Sequence, residues 1–225
     1  MDAKPVQRRL AAVLAADVAG YTRMMQTDED ATMASWYASR NEVIDPKIAE
    51  HKGRIVKLTG DGFLAEFPTV QDAVRCAVDM QTELVGRNSD VPDDRRMDFR
   101  MGVNLGDIIV DSEDIYGDGV NIAARLESLA EPGAICISAA VYDQVKNKLA
   151  LDYTSLGAQK LKNIAEPLQV YQIRVATAPQ AEAEERGEAE ASDSVEPQFY
   201  QWTGYAAGVI VVLGIAVMVW NYYSN

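Results

Sequence analysis

Two aspartates set in apolar frames are the first residues of this 225-residue chain that could do chemistry. Asp17 follows the run LAAVLAA and precedes a turn, Val18-Ala19-Gly20, into Tyr21-Thr22. Backbone N–H groups at such a strand-to-helix turn could face a phosphate. Asp61 sits at the tip of a hairpin, RIVKLT then Gly60-Asp61-Gly62 then FLAEF. Each alone reads equally well as a cap or turn residue, since Asp-Gly is a favoured hairpin turn. The hydrophobic frame changes the balance, because a turn residue does not need one and a rigidly held carboxylate does. Two carboxylates on neighbouring strands repel unless a cation lies between them. Mg²⁺ takes one or two carboxylates plus substrate phosphates, and two metal ions about 3.5–4 Å apart can clamp an in-line phosphoryl displacement. The pair points to nucleotide chemistry.

A second group of polar residues suits an anionic partner. In Ile55–Thr59, Lys57 and Thr59 share one strand face and Val56 and Leu58 the other, which puts Lys57 on the non-core side. Asn121 and Arg125 are four apart and so lie on one helix face, beside an apolar stripe of Ile122, Leu126 and Leu129. Arg offers a fork of donors that matches an oxygen-rich anion. On spacing alone a solvated polar face fits equally well.

Other chemistries are excluded. The net charge of −13, from 34 acidic and 21 basic residues, disfavours nucleic acid, which needs basic surface. Cys76 and Cys136 lie far apart, there is no CxxC, and His51 is the single histidine. That excludes a Cys/His zinc site and argues against a disulfide scaffold. A His-dependent nucleophilic triad would have to use His51, which reads as a solvated helix-end residue.

The elements that must position these groups alternate along the chain. The pattern predicts a buried strand over 10–17, helical spacing over about 28–51, the Asp61 hairpin, and a helix over about 69–86. A strand pair at 97–103 and 106–111 follows, then a helix at 119–130 and a strand at 134–138. A short helix at 139–148 and strands near 152–156 and 168–175 complete the series. Mixed helices with hairpin-linked strands imply an α+β fold, helices packed on a mostly antiparallel sheet.

Four segments, LAAVLAADVAGYTRMM, KLTGDGFLAEF, DIYGDGVNIAARLE and LKNIAEPLQVYQI, resemble in order and spacing the signatures of the class III adenylyl/guanylyl cyclase catalytic domain. The likeness covers roughly residues 8–175. It implies a ferredoxin-like βαββαβ-type cyclase domain and roles for matching positions. Asp17 and Asp61 would bind two Mg²⁺ or Mn²⁺ ions per active site. Lys57 and Asp114 would read the purine, Asn121 would orient the ribose, Arg125 would stabilise the transition state, and Lys162 would grip the triphosphate. In the family the metal pair and the remaining residues come from different subunits; one chain carries both sets here, which implies a homodimer with two equivalent sites. Adenine offers an acceptor at N1 and a donor at its 6-amino group, matching a Lys donor and an Asp acceptor, so ATP is favoured over GTP. A guanylate cyclase is the runner-up. An inactive cyclase-like module is disfavoured because both aspartates and the Asn/Arg pair are present. Thr59-Gly60-Asp61-Gly62-Phe63 does not fit the GG[DE]EF signature of diguanylate cyclases. The stretch from Gly106 to Asn121 is short for the family, which implies an abbreviated dimer arm.

The ends read differently from the middle. Residues 1–9 are expected to be a tail before a catalytic domain over 10–175, an acidic linker over 176–201 and a transmembrane helix over 202–223. The linker has seven carboxylates against Arg186 alone, so it holds −6 of the −13. From Pro197 to Asn225 no side chain is charged. The run between Trp202 and Trp220 spans about 27 Å at helical rise, near the roughly 30 Å of a hydrocarbon core. Gly204 and Gly208 form a GxxxG that could pair helices or could be chance. Arg8-Arg9 with LAAVLAA imitates a short signal peptide, but its brevity favours a strand. The expectation is a single-pass membrane protein whose catalytic domain, with two free cysteines, is cytoplasmic.

Overall fold

A computed structural model describes residues 7–111, 114–164 and 166–175. The expected linker and apolar span lie outside these residues. Among the described residues no helix is long and apolar enough to cross a membrane.

The strands are β1 (Gln7–Val18), β2 (Arg54–Leu58), β3 (Gly62–Phe67), β4 (Phe99–Asp111), β5 (Asp114–Tyr116), β6 (Ala134–Ser138), β7 (Tyr153–Gln159) and β8 (Leu168–Arg174). They form one sheet in the order β2-β3-β1-β4-β6-β8-β7, with β5 paired to β4. Every pairing is antiparallel except β4 with β6. The order β2-β3-β1-β4, with helices in both crossovers, is the expected ferredoxin-like core.

β1 is central and buried on both faces, which is why its sequence is a nearly unbroken apolar run. Ala12, Leu14, Ala16 and Val18 join one core, against Trp36, Ile44, Met80 and Phe99. The alternate residues Ala11, Val13 and Ala15 join a second core with Ala123. Ala123 belongs to helix α5 (Asp118–Leu129), so α5 covers the opposite face from helices α1 (Tyr21–Thr27), α2 (Glu29–Ser39), α3 (Asp45–Glu50), α4 (Val70–Asn88) and α6 (Ala139–Val145).

Several boundaries differ from the sequence reading. β1 starts at Gln7 rather than Leu10, because residues 7–9 pair with residues 108–110 of β4; Arg9 also bonds the buried Glu66, which accepts from Arg54 as well. The expected strand pair at 97–103 and 106–111 is one 13-residue strand, β4. Gly102 and Gly106 lie inside this strand as flat spots under α5. A Cβ on Gly102 would lie 2.2 Å from the Glu127 nitrogen, and one on Gly106 2.8 Å from the Gly119 Cα. The helical stretch over 28–51 runs through a π turn, Arg40–Ile44. Pro46 supplies no N–H and crowds the preceding turn, and the wider turn accommodates it. In β2 the expected alternation breaks at a bulge between Ile55 and Lys57. Lys57 faces solvent as expected, but Leu58 is exposed too, not core. His51 ends α3 as expected yet is not solvated: its ring is 13% exposed and shares a 2.8 Å hydrogen bond with Asp79.

Candidate active site

The sheet register brings the two aspartates together. Asp17, next to last in β1, pairs with Gly62 of β3, and the Val18 N–H donates to the Asp61 carbonyl at 3.0 Å. Gly62 is needed for this approach, since a Cβ there would sit 2.1 Å from the Ala16 oxygen. Gly60, at φ 93°, makes the hairpin turn that presents Asp61.

One of the two carboxylates is paired with an arginine. Arg100 faces Asp17 across the β1/β4 ladder, and its Nε and Nη2 donate to the two carboxylate oxygens at 2.9 and 2.5 Å. This pairing raises the guanidinium pKa further, with added support from the charges of Glu127 and Asp61. Glu127, on α5, lies within hydrogen-bond reach of Asp17. Burial, then the charge of Asp17, pushes its carboxyl up to about 7, although Arg100 pulls the other way. Arg100 and Glu127 were not singled out from the sequence. Their roles depend on strand register and on α5 lying against β4, and neither has a local signature.

These residues fit a divalent cation. A carboxylate has about four lone-pair positions, so Asp17 keeps acceptor capacity beyond the two bonds to Arg100. The Asp61 side chain has no hydrogen-bond or ion-pair partner among the described residues. No three His, Cys, Asp or Glu side chains among the described residues converge on one point. Phosphate oxygens or water would therefore have to complete a shell.

The second cluster joins residues 57 positions apart. Lys57 Nζ donates to Asp114 Oδ2 at 3.0 Å. The same oxygen accepts from the Tyr116 hydroxyl at 2.9 Å, and Oδ1 accepts from the Ile115 N–H at 2.8 Å. The Lys57 ammonium also lies 5.9 Å from the centre of the Tyr116 ring. Burial would raise the Asp114 carboxyl, but the bonds from Lys57, Tyr116 and Ile115 outweigh it and hold it below the usual range. The bond to Asp114 raises the Lys57 ammonium. Tyr116 was missed, though its spacing of two from Asp114 in a strand was a usable signal.

Gly117, at φ 119°, links β5 directly to α5. That puts Asp114, Asn121 and Arg125 on one continuous segment. Asn121 is exposed and Arg125 half-buried, while Leu126 beside them is fully buried. Lys162 is exposed in the turn after β7, which closes the far edge of the sheet from β2. The side chains of Asn121, Arg125 and Lys162 make no hydrogen bond or ion pair among the described residues. No such contact joins the Asp17 cluster to the Lys57 cluster either.

Cys76 and Cys136 are buried and free, and burial pushes both thiols up to about 12. They take no part in either cluster.

Comparison with known proteins covers the same region. The family model described as the adenylate and guanylate cyclase catalytic domain matches residues 4–175. A protein of Rhizobium meliloti, provisionally named adenylate cyclase 3, is 43% identical over 76% of this chain and 29% of its own length. The chain thus spans under a third of that relative, and 54% of an uncharacterized Mycobacterium tuberculosis protein that is 32% identical over 72% of this chain. Among solved structures, an adenylate/guanylate cyclase/hydrolase from Silicibacter pomeroyi is 46% identical, with a TM-score of 0.73. The match covers 76% of this chain and all of that one. The adenylyl cyclase CyaB from P. aeruginosa shares the fold at 24% identity and TM-score 0.67, over 78% of this chain and 98% of its own.

Proposed function

The chain belongs to the adenylate and guanylate cyclase catalytic-domain family, and on that premise we propose that it converts ATP to 3′,5′-cyclic AMP and pyrophosphate at sites shared by two copies. The observation that carries this reading is the Lys57–Asp114 pair, a donor and an acceptor side by side on an exposed edge. Lys57 would donate to adenine N1, and Asp114 would accept from the 6-amino group.

The ribose 3′-hydroxyl attacks the α-phosphorus in line; a new O3′–P bond forms as the bond to pyrophosphate breaks. Two Mg²⁺ or Mn²⁺ ions held by Asp17 and Asp61 would lower the pKa of that hydroxyl and neutralise the departing pyrophosphate. Asn121 would orient the ribose. Arg125, one helical turn along, adds positive charge where it develops on the phosphorus oxygens. Lys162 would hold the triphosphate.

A shared site is supported by what each copy leaves unused. Asn121, Arg125 and Lys162 have no partners among the described residues, and the apolar side chains of Leu58 and Tyr116 are exposed beside Lys57. The apolar run over 202–223 would then tether the pair to a membrane, with the catalytic domain cytoplasmic, and membrane fractionation of the full chain would test this.

The deciding experiment incubates the purified full chain with Mg²⁺ or Mn²⁺ and either ATP or GTP. Cyclic AMP from ATP is expected; cyclic GMP from GTP alone would make it a guanylate cyclase, and no cyclic product from either would end the enzyme reading. Asp17→Ala and Arg125→Ala are each expected to be inactive, and their mixture to regain part of the activity. A mixture as inactive as its components would count against sites built from two copies.

A further inference from the structure

We infer that Tyr116 is the positioning residue that makes the purine-reading pair selective, by holding the Asp114 acceptor and the Lys57 donor in place relative to each other. The inference rests on the reading of Lys57 and Asp114 given above and deepens it.

The argument begins with what the pair has left to offer. Of about four lone-pair positions on a carboxylate, Asp114 uses three: Oδ2 takes Lys57 and the Tyr116 hydroxyl, and Oδ1 takes the Ile115 N–H. One acceptor position remains, on Oδ1. The Lys57 ammonium has three donors and spends one of them on Asp114. The pair therefore presents one acceptor beside two donors.

Those group types alone do not separate the purines. Adenine presents a donor at its 6-amino group and an acceptor at N1. Guanine presents an acceptor at its 6-oxo group and a donor at N1. The same lysine and carboxylate would serve guanine if they exchanged places. Discrimination thus depends on both staying where they are.

Tyr116 restrains both. Its hydroxyl holds Oδ2, which stops the carboxylate turning about its Cβ–Cγ bond, and its ring lies beside the Lys57 ammonium at 5.9 Å. Tyr116 is itself fixed by pairing with Ile109 of β4, and the next residue, Gly117, turns the chain at once into α5. The Asp114 bond is also the first cause that raises the phenol, as expected of a hydroxyl donating to a charged acceptor. The ring is 49% exposed, so core packing does not account for the residue, and losing the hydroxyl does not threaten the fold.

The test uses equilibrium binding of 3′-deoxy-ATP and 3′-deoxy-GTP, which lack the attacking hydroxyl, to the full chain with Mg²⁺. The unaltered chain is expected to prefer the adenine analogue. Tyr116→Phe should reduce that preference about tenfold, the scale of one hydrogen bond to a charged group. In an Asp114→Ala background the same change should have no further effect, because the acceptor of that bond is already gone. A preference that stays within about twofold in Tyr116→Phe would overturn the inference, as would an equal loss in both backgrounds or a native preference for guanine. If neither analogue binds, the inference and the proposed function fall together. If the binding pattern is as expected but no cyclic product forms, only the proposed catalysis falls.

Discussion

Asp17 is approached by Arg100 and by the half-buried Glu127, whose carboxyl is pushed up to about 7. Glu127 stays protonated in the folded chain up to about 7, whereas an ordinary glutamate ionises around 4.5. The folded state therefore holds a proton that the unfolded chain gives up from pH 4.5 upward. By linkage, this group favours the folded state most at low pH, and its contribution is lost as pH rises from about 4.5 to 7. In a chelator, thermal melts of the full chain should show this slope, and Glu127→Gln should flatten it. An unchanged slope in the variant would mean that Glu127 does not carry it. At this scale the sequence was legible in its short motifs: Asp17 near a strand end, Asp61 at a hairpin tip and Lys57 on an exposed strand face all lie where their spacing suggested. Arg100 and Glu127 were not legible, since their significance comes from facing Asp17 across a ladder and from a helix on another face.

At the scale of elements, α5 against β4 does the most to build the site. Gly102, Gly106 and Gly119 remove the side chains that would hold helix and strand apart, and the helix backbone rests directly on the sheet. That contact sets the height of Asn121, Arg125 and Glu127 over β1. Gly102→Ala would put a methyl carbon within 2.3 Å of both the Glu127 nitrogen and the Ala123 oxygen, so the helix must shift. The expected cost is about 1–3 kcal/mol of stability, as for overpacking elsewhere, with a lowered melting temperature and a loss of cyclase activity larger than the loss of folded protein. Activity that merely tracks the folded fraction would show that the height of α5 does not matter. The same contact explains why the sequence misled over 97–111. Two glycines in an apolar stretch look like a turn, and only the helix above them shows that they are packing positions. The hairpin at Asp61 and the helices α4 and α5 were legible because each combines a clear period with a turn or cap.

At the scale of the whole molecule, no hydrogen bond or ion pair among the described residues joins the Asp17–Arg100 cluster to the Lys57–Asp114 cluster, and on the proposed reading the two would be halves of different sites. Activity regained on mixing Asp17→Ala with Arg125→Ala would follow directly from that division. The α+β class and the pairing of β2 with β3 were legible from alternation and the Asp61 hairpin, whereas the expected pair over 97–111 is one strand. The covering of both sheet faces was not legible, because a strand buried on both sides has no alternation to read. One further property follows from Arg100. An acidic pocket without its metal would normally be a source of repulsion that favours unfolding, but here the chain supplies its own placeholder cation. On the proposed reading, folding would not have to wait for metal. The full chain is expected to stay folded in chelator, while Arg100→Met should melt lower there than the unaltered chain and gain more from added Mg²⁺. If the unaltered chain needs Mg²⁺ to fold at all, Arg100 is no substitute. If it does not, newly made chains can fold and await their metal, whatever the free Mg²⁺ around them.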